Sequence, residues 1–309
     1  MLSEFLGNHT LLYDSECDEC NQKFGVYEDH FSKYVGVART FLCVKGKEKI
    51  PKFKSPGGNV VFESSVAEDK GATISVKRTE VLDQSFQIDR EKMMQSIHFT
   101  KHPYIPLKVY KALLKMALGC VPSAEIDQYR KAFEFVTSDD HDSKLRHLST
   151  VYRYAMPYSF AFTRPTAFLY RKRVPGSPLF THIFVLSTLN YIYELPIPLY
   201  APDIPFYSGE GINVPMIPPL FENGYPFPSD TIRFSILDLS SVDTVKGEKE
   251  VVSFPIPKEV LEGLRSVDPI TGEEHIAPFE PSEINGMEFI RGAPLPPHDT
   301  NASLITTSS

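Results

Sequence analysis

Apolar residues recur at helical spacing shortly after the start of the chain. They fall at Phe24, Tyr27, Phe31, Val35, Ala38 and Leu42. This spacing forms one stripe of an amphipathic helix, so the pattern predicts a helix over residues 19–43. Glycines at Gly25 and Gly36 each weaken that helix by about 1 kcal/mol relative to alanine. The helix can therefore break near Gly36.

The spacing then changes from strand to helix and back to strand. Residues 59–64, 72–78 and 85–90 are strand candidates, and residues 73–77 alternate apolar and polar as a half-buried strand does. Helices are predicted over Leu107–Gly119, with Pro106 in the first turn, and over residues 123–136. Residues 183–186 are apolar on both faces, which predicts a central strand within residues 179–195. Residues 231–239 favour a further strand.

Together these elements predict an α+β fold. The Ser55–Gly58 segment, which reads Ser-Pro-Gly-Gly, is a loop and the first expected boundary. We expect an N-terminal unit over residues 1–58, a mixed helix and antiparallel-sheet domain over 59–240, and an acidic, proline-rich tail over 241–309. Low hydrophobicity and high charge predict disorder from about residue 270.

Composition narrows the functional class only in part. The 309 residues are 42% hydrophobic and 23% charged, as expected for a globular protein with a real core. The chain has no run of 18 apolar residues and no secretory signal pattern, so we expect no membrane partner. Four cysteines, two of them in a CxxC pair, favour a reducing, cytoplasmic compartment over a disulfide framework.

The charge of the chain is unevenly distributed. Residues from Ser241 onward include 12 acidic and 5 basic side chains, which accounts for the whole net charge of −7. In the neutral remainder, five lysines lie within ten residues, at Lys45, Lys47, Lys49, Lys52 and Lys54. This cluster can contact phosphates, or it can be a solvated lysine-rich loop.

The CxxC pair is the strongest candidate for chemistry. Cys17 and Cys20 can bind one Zn²⁺ from a single tight turn, as half of a structural site that normally has four protein ligands. Two other interpretations stay open, namely two free thiols without metal and a thioredoxin-like redox pair. No βαβ pattern surrounds the CxxC pair, which disfavours the redox interpretation.

The segment around these cysteines resembles a known family. Leu6-Gly7-Asn8-His9-Thr10, then Cys17-x-x-Cys20-Asn21, then Phe24-Gly25 is similar to the second half of an HNH endonuclease motif, in the subgroup with two CxxC pairs. The resemblance covers about the first 55 residues. It implies a partial ββα-metal finger whose hairpin lies in residues 1–16. It also implies that the catalytic His and the first CxxC would lie before residue 1.

The resemblance also implies a chemistry. Asn21 would help to hold a catalytic divalent ion, usually Mg²⁺, while Cys17 and Cys20 would hold an incomplete structural Zn²⁺ site. His9 is a candidate third ligand by residue type alone, and the motif does not support it. The reaction would be hydrolysis of DNA phosphodiester bonds if the upstream half is present. The alternative is a non-catalytic remnant that binds nucleic acid or protein. Asn21 can also be a helix-start residue that bonds the backbone.

Other polar side chains have simpler interpretations. Glu28, Asp29 and His30 are expected on an exposed face of the first helix. His182 lies in an apolar strand and is expected to be a hydrogen-bonded core residue. His98 and His102 have the spacing of a zinc-binding pair, but Pro103 disfavours the helix that such a pair needs. We therefore expect them to be loop histidines.

Overall fold

The protein is mixed α+β, as the sequence predicts. A computed structural model describes residues 3–8, 18–46, 49–58, 60–67, 71–78, 86–138, 148–156, 162, 164–173, 180–203, 232–255, 264–267, 274–277 and 286–291. The α-helices are α1 (Asp18–Val35), α2 (Ala38–Phe41), α3 (Pro106–Leu118) and α4 (Arg130–Thr137), with 3₁₀ turns at Glu4–Leu6 and Ser123–Tyr129. Among the helices of these residues, none is long and apolar enough to cross a membrane.

The strands form antiparallel sheets. They are β1 (Phe53–Lys54), β2 (Val60–Ala67), β3 (Gly71–Arg78), β4 (Phe86–Asp89), β5 (Met94–Thr100), β6 (Thr150–Ala155), β7 (Thr166–Arg171), β8 (His182–Thr188), β9 (Tyr191–Pro196), β10 (Arg233–Asp238), β11 (Lys249–Pro255), β12 (Leu264–Val267), β13 (Glu274–Ala277) and β14 (Gly286–Arg291). The sheets have the orders β1-β2-β3-β14, β10-β6-β9-β8-β7, β11-β5-β4 and β12-β13.

The predicted N-terminal helix is confirmed, together with its break. Helix α1 ends at Val35, and Gly36 adopts φ +60° before α2 begins. Glycine tolerates this left-handed conformation because it has no Cβ. The predicted apolar stripe is buried, with Phe24, Tyr27 and Phe31 at most 9% exposed. The finger hairpin predicted before this helix falls largely on residues outside the described ranges.

Helix α1 is part of the main core. Its stripe packs with α3, with α4 and with one face of the five-stranded sheet β10-β6-β9-β8-β7, which we call the large sheet. Pro106 lies in the first turn of α3, as predicted. The backbone N–H of Ile105, the N-cap of α3, donates to Nδ1 of His30 on α1 at 3.1 Å. The start of α3 is therefore fixed by a side chain of α1.

The large sheet corrects one detail of the strand prediction. Residues 179–195 were expected to contain a single central strand, but they form the hairpin β8–β9, with Leu189 at φ +55° in the turn. Strand β8 is buried along its whole length, as its apolar run predicts. The turn has a local signal in Asn190, which follows the polar pair Ser187 and Thr188, but the apolar residues on both sides of it favoured one continuous strand.

A second core lies under the four-stranded sheet β1-β2-β3-β14 and the three-stranded sheet β11-β5-β4. Phe41 and Val37, at and before α2, pack with residues of β1, β2, β3, β5 and β11. Aromatic rings dominate it: Phe41 contacts Phe62 at 4.9 Å between ring centroids, and Phe53 contacts Phe99 at 5.2 Å. Helix α2 thereby joins the end of α1 to these sheets.

The C-terminal region differs from the predicted acidic tail. Residues from about 270 were expected to be disordered, but within them the structure describes β13 and β14, and β14 pairs with β3. The other residues of this stretch lie outside the described ranges. Upstream of it, β11 pairs with β5 along seven residues of each strand. The charged residues that suggested a tail are interspersed with strand-forming residues, and the pairing partners lie far away in the sequence. The domain boundaries at residues 58 and 240 stay predictions.

Candidate functional site

The predicted metal-binding segment lies at the start of α1. Cys17 falls outside the described residues, whereas Cys20 and Asn21 lie in the first turn of the helix. Cys20 is half-buried against the main core and Asn21 is exposed. Because the opposite stripe of α1 is buried, this turn is held in place while its polar side chain faces outward. Cys20, Cys43 and Cys120, the described cysteines, form no disulfide.

The acidic and histidine side chains further along α1 do not serve this segment. Glu28 accepts hydrogen bonds from Ser3 at 2.5 Å and from Lys115 at 3.5 Å. His30 accepts the Ile105 N–H, and burial lowers its pKa. These two residues were predicted to lie on an exposed face, and that prediction is wrong, because both make tertiary contacts. Only Asp29 fits it, as an exposed partner of Lys33.

The described residues supply only part of a metal site. No group of three or more His, Cys, Asp or Glu residues in the described ranges is placed to hold an ion. Cys20 has the right donor for Zn²⁺ and Asn21 the right donor for a hard divalent ion. A closed zinc site needs four ligands, so the donors that the structure describes do not by themselves fit the group. We therefore derive no chemical step through a metal.

A polar cluster that combines several elements lies at the other end of α1. Its members come from the last turn of α1, the segment before α3, β6 and the start of β11, and we call it the Glu250 cluster: Tyr34, Lys101, Tyr104, Arg153, Glu248 and Glu250. Lys101 donates to Glu248 at 2.9 Å and Tyr104 donates to its other oxygen at 2.5 Å. Arg153 Nη1 donates to the Tyr34 hydroxyl at 2.8 Å.

The two carboxyl groups of this cluster have opposite pKa shifts. Burial alone would raise the pKa of Glu248, but the hydrogen bonds from Tyr104 and Lys101 outweigh it and lower that pKa. Burial raises the pKa of Glu250 to about 7, and the charge of Glu248 adds to the rise. Oε2 of Glu250 is buried and has no hydrogen-bond partner among the described residues. Opposite pKa shifts in two neighbouring carboxyl groups are typical of catalytic acid–base pairs. They also arise in structural ion networks.

Two tyrosines of β9 extend the cluster into the core. Tyr193 is fully buried, and within the described part of the chain its hydroxyl has no hydrogen-bond partner. Burial raises the pKa of Tyr193, and the nearby hydroxyls of Tyr34 and Tyr191 raise it further. Burial also raises the pKa of Tyr191, with a contribution from the charge of Glu250. Both phenols are therefore neutral at ordinary pH.

Sequence reasoning missed the Glu250 cluster because its two carboxylates lie in the predicted tail. A signal was present in the parity of β11. Val252 is buried, while Lys249 and Val251 are exposed, so the alternation places Glu250 on the core-facing side. An acidic residue on the buried parity of a strand needs partners. For Glu250, Lys101 and Arg153 provide the positive charge that offsets part of the cost of burial.

His182 is the hydrogen-bonded core residue that the sequence predicts. It is 1% exposed, and its Nδ1 lies 2.6 Å from the Tyr129 hydroxyl. Its Nε2 lies 3.4 Å from Glu125. Burial lowers the pKa of His182 although Glu125 opposes the shift. The neutral ring therefore bridges the 3₁₀ turn before α4 to strand β8.

The predicted lysine cluster is exposed where it is described. Lys45, Lys49, Lys52 and Lys54 are exposed, and Lys47 lies outside the described ranges. Lys52 pairs with Glu63 at 3.0 Å. Lys54 lies beside Gly58, in the turn between β1 and β2. His98 lies in β5 rather than in a loop, and His102 follows that strand.

Comparison with known proteins gives no match. No family model, no curated protein and no solved structure matches this chain.

Proposed function

We propose that this chain derives from the HNH endonuclease lineage and acts on DNA, with Cys17, Cys20 and Asn21 as one half of its metal-binding finger. The observation that carries the proposal is the position of Cys20 and Asn21 in the first turn of a docked helix. The buried stripe of α1 fixes this turn, and Asn21 faces outward from it. A helix that begins at a CxxC-Asn segment is the arrangement that the resemblance implies.

Phosphodiester hydrolysis needs a base that activates water and a group that stabilises the leaving oxygen. Within this proposal, Asn21 would be one oxygen ligand of a divalent ion, and Cys17 and Cys20 would be two of the four ligands of a Zn²⁺ ion. The base would come from an upstream half that these residues do not include.

A second candidate function is a non-catalytic module that binds nucleic acid or protein. The observation that favours it is the use of the polar side chains of α1. Glu28 and His30 are engaged with Lys115 and with the start of α3, so neither is directed at Asn21. In this case α1 is a packing element, and Cys20 and Asn21 in its first turn have no metal-binding role.

Metal content distinguishes the proposed half-site from two plain thiols. We expect the purified chain to bind zinc, measured by elemental analysis, and the double variant Cys17→Ser, Cys20→Ser to lose it. Cys120→Ser is the matched control, because Cys120 packs against the main core. A chain that binds no zinc, or a double variant that keeps it, overturns the half-site.

Plasmid nicking with Mg²⁺ tests the reaction. We expect little nicking by these residues alone and nicking that depends on Asn21 when an upstream half is present. The coding sequence upstream of Met1 decides which protein to test. An in-frame CxxC and Asp/Glu-His there favour the nuclease, and a stop codon favours the binding module. If the chain nicks DNA and Asn21→Ala nicks equally well, the site assignment is wrong.

A further inference from the structure

Arg39, on α2, is a half-buried cation with an unusual set of contacts. Its Nη1 donates to the Ser32 hydroxyl of α1 at 3.2 Å, and its guanidinium lies 5.3 Å from the centroid of the Phe5 ring. Its Nε is buried and, among the described residues, has no hydrogen-bond partner. A serine and an aromatic face orient this guanidinium without neutralising it.

No carboxylate compensates this charge within the part of the chain that the structure describes. Burial is the cause of a lowered Arg39 pKa, to about 10, and no acidic group offsets it. Charged groups removed from water are normally paired, because desolvation of an unpaired charge is costly. An unpaired, oriented guanidinium is therefore suited to an external anion. A planar guanidinium group can donate two parallel hydrogen bonds to the oxygens of one phosphate, in a bidentate geometry.

Two exposed lysines lie in the segment that follows α2. The segment after α2 passes close to the guanidinium of Arg39. A Cβ on Gly46 in this segment would lie 3.4 Å from Arg39 Nη2. The exposed Lys45 precedes Gly46 in the chain, and the Gly46 N–H donates to the carbonyl of the exposed Lys49 at 3.1 Å. A cation held at the base of a lysine-flanked turn can attract and then bind one anionic group.

The position of this cation relates it to the first turn of α1. Ser32 follows Asn21 by eleven residues, which is three helical turns, so both lie on one face of α1, roughly 16 Å apart along its axis. That separation equals the axial rise of about five base pairs of B-DNA. A DNA duplex whose axis runs parallel to α1 could therefore meet both positions.

We propose that Arg39, flanked by Lys45 and Lys49, forms a binding site for a phosphodiester group of a nucleic-acid backbone. The choice of nucleic acid rests on the proposed function, whereas the anion site itself rests on the contacts of Arg39. Free inorganic phosphate shares the same chemistry and is the second source that the experiment separates.

The experiment compares Arg39→Met with a control that loses one equivalent charge. Lys33→Met is the control, because Lys33 is on α1 next to Ser32 and pairs with Asp29 at 2.6 Å. Binding of each full chain to a fluorescein-labelled 20-base-pair duplex is followed by anisotropy from 50 to 200 mM NaCl. We expect Arg39→Met to reduce the slope of log affinity against log salt by about 0.9, the value for one lost phosphate contact, and Lys33→Met to leave it unchanged. Equal slopes for wild type and Arg39→Met overturn the nucleic-acid site.

A second measurement separates failure of this site from failure of the proposed function. Thermal melting is recorded with and without inorganic phosphate at constant ionic strength. If the wild type binds no DNA but phosphate raises its Tm, and Arg39→Met abolishes that rise, the proposed function fails and the anion site stands. If phosphate changes the Tm of wild type and Arg39→Met equally, and the salt dependence of DNA affinity is the same for both, the anion site is overturned. Without phosphate, we expect Arg39→Met to melt at or above the wild-type Tm, which excludes misfolding as the cause of lost binding.

Discussion

Two arginines near the end of α1 contact residues of the same helix and differ in almost every other respect. Arg39 contacts Ser32, and Arg153 of β6 contacts Tyr34, two residues further along the helix. Burial acts on both, but the pKa of Arg39 is lowered to about 10, whereas that of Arg153 is raised. For Arg153, burial is outweighed by the nearby hydroxyls of Tyr34, Tyr193 and Tyr191.

The difference indicates two uses of the same side chain. Arg153 is surrounded by acceptors on several elements, and Ser235 also accepts its Nε at 3.1 Å, so its charge supports the packing of β6, β10 and α1. Arg39 is oriented by Ser32 and Phe5, and no acidic group of the described residues compensates its charge. A buried cation with internal partners stabilises a fold, while one without partners is suited to a ligand from outside.

Replacing the two arginines should give the largest contrast. Arg153→Met removes the donor to the Tyr34 hydroxyl and one of the two cations that act on Glu248 and Glu250, Lys101 being the other, and we expect it to lower the free energy of unfolding by about 3 kcal/mol. Arg39→Met should change it by less than about 0.5 kcal/mol, or increase it. Guanidinium chloride denaturation at pH 7 measures both values. Equal losses in the two variants would remove the distinction between the arginines.

The pH dependence of Glu250 should give the next largest effect. Its pKa is about 7 in the folded protein and near 4.5 when unfolded, so the folded state binds the proton more tightly. Stability from this group is therefore lost as pH rises from about 4.5 to about 7. Relative to Glu250→Gln, the wild type should gain on the order of 2 kcal/mol between pH 7.5 and pH 5.

The measurement is denaturation of both proteins at several pH values, and only their difference counts. Lys101, Arg153 and Glu248 also act on the charge of Glu250. Other carboxyl groups titrate equally in both proteins and cancel. Parallel pH profiles for wild type and Glu250→Gln would show that Glu250 is not perturbed.

Replacing Gly25 within α1 and Gly36 directly after it by alanine should change the free energy of unfolding in opposite directions. Gly36 has φ +60°, and a Cβ there would lie 2.6 Å from Oε2 of Glu250, so we expect Gly36→Ala to cost about 1 to 2 kcal/mol. Gly25 lies within the helix with open space around it, and Gly25→Ala should add about 1 kcal/mol. If the contact with Glu250 contributes, the cost at Gly36 will fall in a Glu250→Ala background, as a double-mutant cycle would detect.

The smallest expected effect concerns two tyrosine hydroxyls. Tyr34→Phe removes the acceptor of Arg153 and should cost about 1 kcal/mol. Tyr193→Phe removes a buried hydroxyl that has no partner in the described part of the chain, and should be neutral or slightly stabilising. Thermal melting of the two variants tests this pair. A larger loss for Tyr193→Phe would indicate that its hydroxyl is bonded in solution.

The elements that the sequence predicted are those whose signal is local. The stripe from Phe24 to Val35, the break at Gly36 and the start of α3 at Pro106 each follow from spacing or from one residue type. The pairing of β14 with β3 could not be predicted in this way, because two hundred or so residues separate the strands and strand pairing carries no marker of its partner.

The candidate sites also differ in whether their sequence signal is local. The CxxC-Asn segment was visible because its residues are adjacent in sequence. The Glu250 cluster was hidden because its members come from remote elements, although the parity of β11 pointed to a buried acid. Arg39 gave no sequence signal at all, since the lack of a counter-charge is a property of the folded neighbourhood.

The pairing of β11 with β5 has a consequence during synthesis. Strand β5 and Lys101 leave the ribosome well before Glu248 and Glu250, so Lys101, Tyr104 and Arg153 emerge without their carboxylates. Until then one edge of β5 stays open to other chains, which is a hazard of unpaired strands. A nascent chain released before residue 255 would therefore be expected to aggregate rather than to remain a smaller folded protein.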